Sequence, residues 1–142
     1  MAKNSCEIVA VLNRLLQLLC HSLPRYLQDA KPYASPDQAA LCGAIDALAA
    51  DQAHYARRTA EAILDSGGEP EPGAFSTGLA CVNDLGVDYL LQEVLRRHRD
   101  DTAEIEAIDA VLAHSAAHAP LAREILGNAR GHLDILQRLV QD

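Results

Sequence analysis

Asp51-Gln52-Ala53-His54-Tyr55-Ala56-Arg57-Arg58-Thr59-Ala60-Glu61-Ala62-Ile63-Leu64 is the stretch whose reading decides the fold. It sets a carboxylate and an imidazole one helical turn apart, inside a segment with the apolar spacing of a buried helix. On that spacing Asp51 and His54 can both point towards one ion. Two further segments place a histidine where the apolar pattern asks for a core residue, so the chain raises the question of whether these rings meet.

Working outward, this helix is expected over residues 36 to 65. Ser35-Pro36 reads as its start, with serine as N-cap and proline in the first helical position. Ser66-Gly67-Gly68 reads as its stop, because glycine accepts the left-handed backbone that ends a helix. Upstream, Ile8, Leu12, Leu15, Leu19, Ser22 and Tyr26 alternate in steps of four and three, which predicts a first helix over residues 5 to 29. Pro24 lies inside that pattern and predicts a kink or local irregularity. The short connection between the two helices makes them antiparallel neighbours.

Downstream, Glu69 to Gly86 has no clean periodicity. At about 3.3 Å per extended residue it can travel the roughly 45 Å of a long helix, so the third helix can start at the same end as the second. That third helix carries Val87, Leu91, Val94, His98, Asp101, Ile105, Ile108 and Leu112 on one stripe. After a short loop holding His114 and His118, the fourth carries Ala122, Ile125, Ala129, His132, Leu136 and Leu139. No segment reads as a strand. The expected fold is all-α: one domain, residues 1–142, forming an up-down-down-up four-helix bundle with a long crossover between helices 2 and 3.

Composition narrows the function. The chain is 49% hydrophobic, enough to build a core in 142 residues. With 20 acidic against 12 basic residues its net charge is −8, and the basic residues are scattered apart from Arg96-Arg97-His98-Arg99. No basic stripe is available to displace counterions, so nucleic acid is not an expected partner. Cys6, Cys20, Cys42 and Cys81 form no CxxC pair, which excludes a zinc finger or a secreted disulfide scaffold; Cys20 and Cys42 read as small hydrophobes. Neither a signal-peptide pattern nor an apolar run of about 20 residues is read in the chain, and the expected setting is cytoplasmic, without a membrane.

Leu12-Asn13-Arg14-Leu15-Leu16-Gln17-Leu18-Leu19 with Tyr26, then Asp51-x-x-His54 with Ile63-Leu64, then Glu124 through His132 to Leu136, together resemble the helices of a bacterioferritin. The likeness runs through nearly the whole chain, including the crossover. It implies the ferritin-like superfamily and a di-iron centre in which two helices each give a glutamate and two give Glu-x-x-His. Here those positions depart from the family. The first-helix glutamate falls on Leu19, and Asp51 replaces the second-helix glutamate while His54 keeps the histidine. The third-helix glutamate falls on His98, and in the fourth helix Ala129 replaces the glutamate while His132 is retained.

Two ions close together need bridging carboxylates to offset their charge, and Leu19 and Ala129 supply none. Ferroxidase activity is therefore not expected. Three imidazoles and one carboxylate suit a single transition-metal ion (Zn, Fe, Cu, Ni or Co) held by Asp51, His54, His98 and His132. Asp101, one turn beyond His98, is a candidate supporting residue. The alternative is a metal-free bundle acting as a structural or interaction protein, its core repacked by Leu19 and Ala129. Haem ligation in the family's manner is absent, because Gln52 stands at the methionine position. With no short fifth helix after Asp142, the expected assembly is a homodimer burying Val11, Leu18 and Leu64.

Overall fold

The structure, a computed structural model, describes residues 2–29, 36–75 and 86–141. Its described residues are all-helical: α1 (Ala2–Cys20), α2 (Leu23–Asp29), a 3₁₀ turn (Pro36–Gln38), α3 (Ala39–Asp65), α4 (Val87–Leu112) and α5 (Ala119–Gln141), with no strand among them. α1 and α2 form one broken column, so four helical columns build the bundle. The expected cap at Ser35 and the crossover segment 76–85, with Cys81, lie outside the described residues.

The irregularity expected at Pro24 is a complete break at His21-Ser22. The buried Ser22 hydroxyl accepts the Arg25 N–H (3.3 Å) at the start of α2 and donates to Gln52 Oε1 (2.6 Å) on α3. Pro24 then occupies the first turn of α2, where its missing N–H leaves no internal bond unmade. α3 ends in a Schellman arrangement: Gly67 N–H bonds Leu64 O at 3.0 Å and Gly68 N–H bonds Ile63 O at 2.9 Å. Gly67 takes φ +80, the left-handed conformation that favours glycine. A Cβ on Gly68 would meet both Val9 methyl groups at 2.7 Å, so this second glycine lets the end of α3 close onto α1.

From Glu69 the chain runs back along α1 as a strap, held by side chains one turn apart. Asn13 Nδ2 donates to Glu69 O (3.1 Å) while its Oδ1 accepts the Glu71 N–H (2.7 Å). Gln17 Nε2 donates to Glu71 O (3.1 Å), and His21 Nε2 lies 3.0 Å from Gly73 O. Positions 13, 17 and 21 recur about every 6 Å along the helix, and alternate residues of an extended chain recur about every 6.6 Å. That near-match of repeats lets one helix face read residues 69, 71 and 73. Phe75 finishes the strap, edge-on to His21 (centroids 4.6 Å apart) and Tyr26 (5.7 Å).

α1 packs on α3 and α4, and α5 packs on the same two helices. The apolar stripes form two clusters. Leu12, Leu15, Leu19, Ile63, Ile105, Ile108, Leu112 and Ile125 fill one end, and Leu23, Leu27, Ile45, Leu48, Leu90, Leu91, Val94 and Leu136 fill the other. Each fully buried aliphatic side chain contributes roughly 1.5–3 kcal/mol. Contrary to the expectation from the sequence, the stretch Ser5–Gln28 is long and apolar enough to cross a membrane, by length and composition alone. The stretch is interrupted at His21-Ser22; Leu12, Leu15, Leu16 and Leu19 are buried in the first cluster and Leu23 and Leu27 in the second.

Of the outward positions Val11, Leu18 and Leu64, the first two are half-buried against the core and Leu64 is 60% exposed. Cys20 and Cys42 are half-buried free thiols, and burial raises the Cys20 pKa.

Candidate metal centre

Between the two apolar clusters lies a polar layer made of Ser22, Gln52, His98 and Thr102, all buried, with Asp51, Asn128 and His132 at its edge. Three of the four residues singled out from the sequence belong to it. Asp51 sits on the flank of α3 and is 44% exposed; His132, on α5, is 12% exposed. The antiparallel approach of these helices puts His132 Nε2 2.7 Å from Asp51 Oδ2. The same oxygen accepts from Asn128 Nδ2 at 2.8 Å. Asn128 precedes His132 by four residues, so both occupy one face of α5. The bond from Asn128, followed by that from His132, holds the Asp51 carboxyl below its ordinary value.

His98 is 2% exposed. Its Nε2 lies 2.8 Å from Ala129 O, a contact that fixes Nε2 as the protonated nitrogen because a carbonyl only accepts. Nδ1 is then a bare lone pair, buried and without a partner. Burial pushes the ring's pKa down, the Ala129 carbonyl opposes this, and nearby His132 lowers it further. A neutral imidazole oriented by a backbone carbonyl, with its other nitrogen free, is the usual state of a metal-ligating histidine. The ring lines a small interior gap with Leu19, Ile105, Ile125, Asn128 and Ala129.

His54 is not brought to this place. The buried face of α3 is Ile45, Leu48, Gln52, Ala56, Thr59 and Ile63. At 100° per residue His54 points roughly 160° from that face. It is exposed, with its ring edge-on to Tyr55 at 5.0 Å, and reaches Asp51 only through its electrostatic influence. Two polar members, Gln52 and Thr59, disguise the true stripe in the sequence. Gln52, Asn128 and Ser22 were not read as parts of the site; the spacing of Asn128 from His132 is the signal that points to the first partner of Asp51.

The fit to metal can be judged on these contacts. Leu19 (3% exposed) and Ala129 (5%) belong to the apolar cluster, so the carboxylates a dinuclear centre needs are missing and the residues do not fit it. For a single ion, two donors of one tetrahedral site stand about 3.3 Å apart. The Asp51–His132 pair is somewhat tighter than that. Among the described residues no group of three or more His, Cys, Asp or Glu side chains is arranged to hold an ion together. No protein family, curated protein or solved structure matches the chain.

Proposed function

We propose that the chain is a ferritin-like bundle of up-down-down-up order that binds one transition-metal ion in its core, with His98 as the first donor and Asp51 and His132 joining once the bond between them opens. The helix order is supported by paired contacts. Val9 meets Gly68 and Ser22 meets Gln52 across α1 and α3. Ser66–His118, Arg58–Glu124 and Asp51–His132 run in opposite order along α3 and α5. Arg14–Glu104 links α1 to α4, and His98–Ala129 links α4 to α5. The observation that carries the metal reading is the partnerless Nδ1 of a fully buried, carbonyl-oriented His98. When bound, such an ion supplies Lewis acidity or a redox centre. The chain's own part is to hold His98 neutral and to keep Asp51 ionised.

The test is elemental analysis of tag-free protein prepared without added metal. About one ion per chain is expected, lost in His98→Ala and in His132→Ala, with a rise in unfolding temperature on adding one equivalent to the apoprotein. Substoichiometric metal that is unchanged in both variants overturns the reading.

A second reading is favoured by a specific contact. The 2.7 Å bond between His132 Nε2 and Asp51 Oδ2 closes the pair upon itself, and an ion would have to break it. On this reading the polar layer is a metal-free staple in a structural or interaction protein, and added metal leaves the unfolding temperature unchanged. Either reading is compatible with a homodimer using the exposed Leu64, which Leu64→Glu should dissociate, as light scattering would show.

A further inference from the structure

A cleft opens on the other side of the bundle, where the α1–α2 break, the strap and α4 meet. Its two adjoining parts, ≈350 Å³ and ≈300 Å³, share His21, Ser22 and Asp101. The walls are built rather than accidental. Ser22 is fixed by its bonds to Gln52 and Arg25, and the strap is tied down through Gln17 and His21.

Asp101 is the unusual member. It is half-buried, yet it forms no hydrogen bond or ion pair with any described residue. The guanidiniums that influence it are already engaged: Arg14 with Glu104 at 2.6 Å, and Arg97 with Glu93 at 2.7 Å. A carboxylate drawn partly out of water without a partner is costly, and such groups call for a counterpart.

We propose that this cleft binds a small organic cation carrying a primary ammonium group, received by the Asp101 carboxylate; Asp100 beside it is already 3.7 Å from Arg96. An ammonium group has three N–H donors to place. Gln17 lines the cleft, and with its Nε2 donating to the strap its Oε1 is a further acceptor. Leu18, Leu23 and Pro72 give the alkyl part apolar surface. A bare metal ion is the poorer occupant, because no three ligating side chains of the described residues gather in the cleft. The volume also lies in the range of organic-ligand pockets. An anion is disfavoured because the three guanidiniums at the cleft are outnumbered by four carboxylates: Arg14 pairs with Glu104, Arg96 and Arg97 share Glu93, and Asp100 and Asp101 add two more. The two sites share Ser22, but the cleft's acceptor is Asp101 and the core's donor is His98, so this proposal does not depend on the core reading.

Titration calorimetry on the full chain tests the proposal, with 1,4-diaminobutane as the probe, 1,4-butanediol as its neutral counterpart and Mg²⁺ as a competing cation. Saturable binding of the diamine alone is expected, weakened roughly tenfold or more in Asp101→Asn. Ala74→Trp fills the cleft without removing charge and should abolish binding; Glu61→Gln, on an exposed part of α3, should leave it intact. Helical circular dichroism confirms that each variant is folded. No saturable diamine binding, equal binding of the diol or Mg²⁺, an unaffected Asp101→Asn, or an equal loss in Glu61→Gln each overturns it.

Discussion

Replacing Asp101 by asparagine should stabilise the fold at neutral pH. In the folded chain the Asp101 pKa is pushed from 3.8 up to about 6, first by burial and then by Glu104 and Asp100, with Arg14 and Arg97 acting in the opposite direction. The folded pKa lies above the unfolded one, so the native state holds the proton more tightly. Asp101 therefore costs nothing below about pH 3.8, becomes a growing burden as pH rises to about 6, and exerts its full cost above that. The shift is 6 − 3.8, or about 2 units, which at about 1.36 kcal/mol per unit sets an upper bound of about 3 kcal/mol.

Asparagine keeps the shape and removes the charge. If about half to all of the bound is recovered, Asp101→Asn gains roughly 1.5–3 kcal/mol, or an unfolding temperature higher by roughly 5–10 °C. Urea and thermal melts of both proteins at about pH 7.5 and about pH 3.5 measure this directly. The gain should be present at the higher pH and nearly vanish at the lower. Equal gains at both, or none at the higher, would refute the argument that an unpaired carboxylate strains this cleft.

Asp51→Asn should act with the opposite sign: its depressed pKa contributes stability above the unfolded value of 3.8 that is lost as pH falls through the lower folded value. Because Asp51 is 44% exposed the loss at neutral pH should stay below about 1 kcal/mol and disappear in acid, as chemical denaturation would show. Asn13→Ala removes both bonds to the strap and leaves the Glu71 N–H without its acceptor, for an expected cost of about 1–3 kcal/mol and faster amide exchange at Glu71. Gly67→Ala forces a Cβ onto the positive φ that ends α3 and should cost about 1 kcal/mol in a urea melt.

Much of the helical framework was legible because its signal is periodic. Leu12, Leu15 and Leu19 on α1, Leu91 to Leu112 on α4, and Ala122 to Leu136 on α5 fall where the spacing places them. α3 was harder, since its core face includes Gln52 and Thr59, and reading by hydrophobicity alone leaves His54 on a side it does not occupy. His98 was legible as a core residue. Its orientation was not, because the carbonyl that turns the ring belongs to another helix, and a main-chain acceptor leaves no trace in side-chain sequence. The strap was hidden for a related reason. Asn13 and Glu71 are 58 positions apart, and no local pattern announces a bond between an amide side chain and a distant backbone.

That strap has a consequence for how this chain can vary. Asn13, Gln17 and His21 recognise the main chain at residues 69, 71 and 73, so the route is written on the helix and the passing side chains are largely bystanders. Substitutions at Glu69 or Glu71 should leave the path intact, but inserting a single residue between them would throw the later contacts out of step. Spelling there is free; metre is not.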